Sequence, residues 1–173
     1  MTVWSVTELR ADMMTDAGAE PLHRFPVFRT SDPEELRHFG STMFGAVRID
    51  LGNTERFEAR VNLITLPQTG LAYGATSCHL AADHFAADFI RLQIALKGRA
   101  TTSAGGTTTD INERQLAITP SGVASRTVCE AGHERLQRHY DWRRRGRRAA
   151  DAGGQLVSLS LSRLCDQRRD QLD

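Results

Sequence analysis

The sequence predicts an all-β barrel or sandwich, and three observations in its middle predict it. First, residues 90–96 alternate: Ile90, Leu92, Ile94 and Leu96 share one face, Arg91 and Gln93 the other, the period of two of a half-buried strand. Second, two Thr-rich runs, 99–103 and 107–111, flank Ala104-Gly105-Gly106. That is a hairpin whose glycines are free to take positive φ. Third, a short strand over 115–119 is closed by Pro120-Ser121-Gly122, a turn.

The remaining elements follow in chain order. Residues 5–14 offer one or two helical turns capped by Ser5 or Thr7, and Pro21 and Pro26 stop any longer helix. Phe25 and Phe28 read as anchors onto the body. The run Thr30-Ser31-Asp32-Pro33-Glu34-Glu35 is a helix start: Ser31 or Asp32 caps, Pro33 fits the first helical position, and the two glutamates suit the positive end of the dipole. The helix carries Leu36 and Phe39 inward, ends near Gly40 and forms a lid on the sheet. Strands are expected over 46–51, 57–66, 70–75 and 78–81. In 57–66, Phe57, Ala59, Val61 and Leu63 oppose Glu58, Arg60 and Asn62, and Pro67 ends the run. A strand over 125–129, a turn at Ala131-Gly132 and the start of a closing strand at Glu134–Leu136 complete the body. Beyond Leu136 the alternation lapses, because Gln137, Arg138 and His139 offer no apolar face. Leu156, Leu159, Leu161 and Leu164 are spaced for one weak helix. Three segments result: an extension over 1–24, a body over 25–136 and an Arg-rich tail over 137–173.

Composition sets outer limits. The 173 residues are 40% hydrophobic and 25% charged, ordinary for a globular domain. No apolar run approaches the roughly 20 residues of a membrane span, and the first residues lack a basic-then-apolar leader, so the expected location is the cytoplasm. Cys78, Cys129 and Cys165 are odd in number and lack paired spacing, which argues against a disulfide framework. The net charge of +1 is unevenly spread: residues 1–136 carry 12 Arg and one Lys against 16 acids (−3), and residues 137–173 carry nine Arg against five acids (+4).

Chemistry-bearing patterns are sparse. His79 and His84, with Asp83 beside the second, are an odd number of residues apart and point to opposite faces of a strand; no metal or other cofactor is expected. There is no G-x-S-x-G elbow and no phosphate loop. The sequence therefore reads as non-catalytic. Arg143, Arg144, Arg145, Arg147 and Arg148, beside Tyr140 and Trp142, offer phosphate contacts and stacking, or else a solvated tail. Arg60, Asn62, Tyr73, Arg91 and Gln93 are polar positions on alternating strands. They are the candidates for lining a ligand pocket inside a barrel, unless that face meets solvent.

The order of features resembles one family. The segments FRTSDPEELRHFG, FEARVNLITL, LAYGAT, FIRLQIALKGRATTSAGG, RQLAITPSG and CEAGHERL are similar to the AraC-binding-like domain, the N-terminal regulatory domain of AraC/XylS-type transcription regulators. The resemblance covers residues 25–136. It implies a mainly β, cupin-like barrel or jelly roll with a few short flanking helices, and binding of a small-molecule effector or formation of a homodimer, or both, to control a DNA-binding partner domain. It carries no fixed effector residues. Regulators of this type continue into two helix-turn-helix units, and residues 137–173 are too short for one. Direct DNA binding is not expected of such a chain, whose basic tail fits a truncated or frame-shifted reading or a stand-alone sensor. The alternatives are a small cupin-type enzyme working in the barrel and nucleic-acid binding through the tail.

Overall fold

A computed structural model describes residues 20–66, 69–140 and 157–160. Among these residues twelve strands and one helix follow one another as β1 (Pro26–Thr30), α1 (Pro33–Phe44), β2 (Ala46–Leu51), β3 (Ala59–Leu66), β4 (Thr69–Thr76), β5 (Leu80–His84), β6 (Ile90–Lys97), β7 (Ala100–Ala104), β8 (Thr107–Ile111), β9 (Gln115–Thr119), β10 (Ser125–Cys129), β11 (Glu134–Tyr140) and β12 (Val157–Ser160). They form a seven-stranded sheet of order β1-β3-β4-β11-β6-β9-β12 and a five-stranded sheet of order β2-β5-β10-β7-β8.

The pairing explains the shape. From β4 to β11 the chain is one long antiparallel hairpin, rolled up: β4 pairs β11, β5 pairs β10, β6 pairs β9 and β7 pairs β8. Its strands are divided between two facing sheets, so this is an eight-stranded jelly roll, the cupin architecture. At the hairpin's tip Gly105 and Gly106 have φ of 57° and 79°, as a two-residue turn with both centres left-handed requires. Strands β1, β2, β3 and β12 extend the sheets at their edges.

The helix starts as expected. Asp32 caps it by accepting a hydrogen bond from the Glu34 N–H at 2.8 Å, and Pro33 opens the first turn. It ends at Phe44, not near Gly40. Gly45 takes the left-handed conformation (φ 65°) and its N–H closes onto the Gly40 carbonyl. Gly40 serves instead as a point of close approach, since a Cβ there would overlap the Ile49 Cδ1. Leu36 is buried, and Phe39 stacks on Phe28 at 4.2 Å between ring centres.

Two expectations at the C-terminal side are corrected. The closing strand does not lapse at Leu136 but runs to Tyr140, between β4 and β6 in the middle of the larger sheet. Val157–Ser160 is not helical; it pairs β9.

The space between the sheets is filled by small residues, among them Ala59, Ala82, Ala95, Ala100, Ala104, Ala117 and Cys129, with Leu36, Phe57, Leu80 and Ile111. Cys78 and Cys129 are free thiols.

Candidate functional site

The face of β6 that looks inward is the polar one. Arg91, Gln93 and Ala95 are buried between the sheets, while Ile90, Leu92, Ile94 and Leu96 are only half-buried on the outer side. Cross-strand register extends that inner face: Gln93 lies opposite Gln137 and Ala117, and Arg91 opposite His139 and Thr119. From the smaller sheet, β7 and β10 contribute Thr102, Thr127 and Ser125.

These side chains satisfy one another across the sandwich. The Thr102 hydroxyl donates to Gln93 Oε1 at 3.1 Å and lies 3.0 Å from the Thr127 hydroxyl. Gln93 Nε2 donates to Gln137 Oε1 at 3.4 Å, and Gln137 Nε2 meets His139 Nε2. Arg91 Nη1 donates to Ser125 Oγ at 3.2 Å, and Nη2 reaches the carbonyl of Phe44, the last residue of α1, at 3.5 Å. His139 stacks on Phe89 at 4.5 Å, and the Arg91 guanidinium stands 5.5 Å from the same ring.

The electrostatics of this interior are one-signed. Among the described residues neither Arg91 nor Arg135 forms an ion pair. Arg135 Nη1 instead donates to the Cys129 sulfur at 3.2 Å. Burial first, and then the nearby Arg135 charge, lower the Arg91 pKa to about 10. Burial followed by the Arg91 and Arg135 charges pushes His84 down to about 3 and His139 to about 4; burial and Arg135 take His133 to about 4. All three imidazoles are neutral at pH 7. Four buried polar atoms on this side have no hydrogen-bond partner among the described residues: Arg91 Nε, His84 Nδ1, His133 Nδ1 and Thr119 Oγ1.

A cavity of about 50 Å³ lies between α1 and the two sheets. Leu36, Phe39, Phe44, Ile49, Val61 and Leu80 form its apolar wall, and Arg60, His84, His133 and Arg135 its polar one. A second, open cleft of about 460 Å³ lies at the rim of the larger sheet, lined by Arg29, Glu58, Arg60, Lys97 and Glu134 among others. Its charges are largely paired: Arg60 and Arg29 with Glu20 at 2.8 and 3.3 Å, and Lys97 with Glu134 at 3.8 Å.

The five predicted pocket residues do not converge. Arg91 and Gln93 face the interior. Arg60, Asn62 and Tyr73 share the opposite, outer face of the larger sheet, where Asn62 pairs Tyr73 and Tyr73 pairs Leu136. Around Asn62 and Tyr73 that face is covered, whereas Arg60 and Glu134 reach the open cleft. Asn62 Nδ2 donates to the Pro21 carbonyl at 2.9 Å, and the fully buried Tyr73 donates its hydroxyl to Glu134 at 2.9 Å. Burial raises the Tyr73 pKa. Asn62 and Tyr73 are held by these contacts, while Arg60 lines the open cleft and also borders the cavity under α1. His79 is exposed, Asp83 binds Arg126 at 2.7 Å, and His84 faces the interior, so that trio is not brought together. Among the described residues no three His, Cys, Asp or Glu gather as a metal set. Arg143, Arg144, Arg145, Arg147, Arg148 and Trp142, and the first predicted helical turns, lie outside the described residues. No helix among the described residues is long and apolar enough to cross a membrane.

Sequence reasoning misses His84, His133, Arg135, Gln137 and His139 as interior residues. The available signal is the alternation of Arg135, Gln137 and His139 at a period of two, which marks a strand whose inner face is polar.

Comparison with known proteins agrees with this architecture. The model of the AraC-binding-like domain family matches residues 36–170. Among solved structures, the AraC-like transcriptional activator CuxR superposes with a TM-score of 0.61 at 16% identity, over 84% of this chain and 59% of that one. Protein YlbA from E. coli gives 0.49 at 13% identity, over 65% and 49%, and a Bacillus subtilis oxalate decarboxylase variant 0.41 at 19%, over 49% and 25%. The last two likenesses are too slight to carry any inference. No curated protein sequence matches. This chain thus spans about 59% of the activator's length. A family match over 135 of 173 residues, on a jelly roll whose fold is that of an AraC-like activator, places the chain: it belongs to the AraC-binding-like domain family.

Proposed function

We propose that the chain is a non-catalytic sensing module of AraC type. It binds a small-molecule effector in the interior of its jelly roll and passes the binding event, through a dimer contact, to a DNA-binding partner domain. The carrying observation is the cavity between α1 and the sheets, bordered by buried polar atoms that lack partners among the described residues. Native interiors rarely leave such atoms unpaired unless a ligand or water is meant to meet them.

The mechanism is a population shift. At about 50 Å³ the cavity holds little more than a water or two, far below the usual volume of a ligand pocket. An effector therefore enters by displacing α1, whose packing rests on Leu36, on the Phe28–Phe39 stack and on the Arg91 contact to its last carbonyl. The ligand binds the displaced arrangement better and draws the ensemble towards it.

The test is a melting screen of the full chain against a broad panel of small metabolites, with light scattering of each hit. The expected outcome is a concentration-dependent rise in Tm for one chemical class, blocked by Ala82→Leu, which narrows the cavity. A panel that shifts nothing overturns the proposal.

A further inference from the structure

Resting on that sensing assignment, we propose that the effector is a small organic acid: a carboxylate held by Arg135 between His133 and His84, with an apolar body lying under α1.

Arg135 lines the cavity and faces no carboxylate among the described residues; its one contact there is the weak Cys129 sulfur. A guanidinium is built for bidentate carboxylate binding, and a half-buried charge left without a counter-ion is costly until one arrives. The imidazoles beside it, His133 and His84, are 3% and 6% exposed; His133 is hydrogen-bonded to the Lys97 backbone, and His84 Nδ1 has no partner among the described residues. A neutral imidazole can donate one N–H to an incoming oxygen. Every charge that acts on these histidines is cationic or from another imidazole, so the field invites an anion and repels a cation. The rest of the wall is hydrocarbon, which favours an organic acid over an inorganic anion.

Signal transmission follows from the same layout. Arg91 does not line the cavity, but it holds Phe44, which does. The C-terminal end of a helix carries partial negative charge, so Arg91 anchors α1 by an attraction that a nearby carboxylate weakens. The ligand's charge thus loosens the lid that its bulk displaces.

The test uses the full 173-residue chain at constant ionic strength, with benzoate and hexanoate, their uncharged amides, and inorganic phosphate as probes. One or both carboxylates should raise Tm in a concentration-dependent way, while the matching amides and phosphate do not. Arg135→Gln should weaken the carboxylate by about tenfold or more, the loss of a charge-assisted hydrogen bond. Arg135→Lys, which keeps the charge, should restore part of the affinity and controls for misfolding. Amides as effective as acids, or phosphate as effective as either, would overturn the organic-acid assignment. Silence from all five probes, with a neutral hit in the broader panel, overturns it too while leaving the sensing module standing; silence in both screens removes both.

Discussion

Arg91 is 4% exposed and has no carboxylate partner among the described residues, only a serine hydroxyl, a helix-end carbonyl and a ring face. Such a residue subtracts from stability, and replacing buried ionic groups by well-packed apolar ones often stabilises by roughly 1–4 kcal/mol. Arg91→Met should therefore raise the Tm of the ligand-free chain; a marked fall would show that the hydrogen bonds outweigh desolvation. The neighbouring histidines set a pH dependence. His84, His133 and His139 titrate at about 3, 4 and 4 in the fold and near 6.5 when unfolded. Between those values the unfolded chain binds the extra protons, so stability is complete above about pH 6.5 and is lost as pH falls towards 4. Each buried histidine costs about 1.4 kcal/mol per pH unit in that window, or about 4 kcal/mol for the three at pH 5.5. Urea titrations at pH 7 and pH 5.5 check it, and His84→Gln should flatten the slope. At this scale the sequence was half legible. Alternation over 90–96 reports two faces but not which looks inward. Here the Ala-rich, Thr-rich interior accepts Arg91 and Gln93 because Thr102, Thr127, Gln137 and Ser125 pair them.

The helix shows why starts are easier to read than stops. Its N-terminus rests on local chemistry, Asp32 to the Glu34 N–H, which the sequence spells out. Its C-terminus depends on which of two glycines stops it. Gly40 is there to let α1 approach Ile49 and Gly45 to take φ 65°, a distinction made only by tertiary packing. Gly45→Ala should cost about 1–2 kcal/mol, from the left-handed backbone and a Cβ 3.2 Å from the Phe85 ring. Asp32→Ala should cost about 1 kcal/mol. Both are read from denaturant midpoints. Because α1 is the proposed lid, both variants should also bind effector more tightly than their stability loss would suggest, as a loosened lid lowers the cost of opening.

At the scale of the molecule, β4 through β11 were legible as strands from alternation and turn chemistry, but their pairing was not. The exception in content is β11, whose inner residues Arg135, Gln137 and His139 are polar and so hide a central strand. Two polar networks then divide the work. Gln93, Thr102, Thr127 and Gln137 join the two sheets, while Arg60, Tyr73 and Glu134 tie strands of the larger sheet on its outer side. Gln93→Leu, which strands partners on three strands, should cost about 1–3 kcal/mol, against about 1 kcal/mol for Tyr73→Phe. A chain ending at Leu136 cuts the central strand in half and should show no cooperative melt by circular dichroism. For that reason, removing the tail there is no clean test of nucleic-acid binding; Arg→Gln changes at 143–148 are.

The place of β11 also bears on how the protein is made. Its neighbours in the sheet, β4 and β6, begin 65 and 44 residues before it in the chain. During synthesis they wait on the ribosome with open edges until residue 140 has emerged, and open edges invite wrong partners. Contacts so distant along the chain also form slowly. A jelly roll of this design is most vulnerable to aggregation in the interval before β11 arrives.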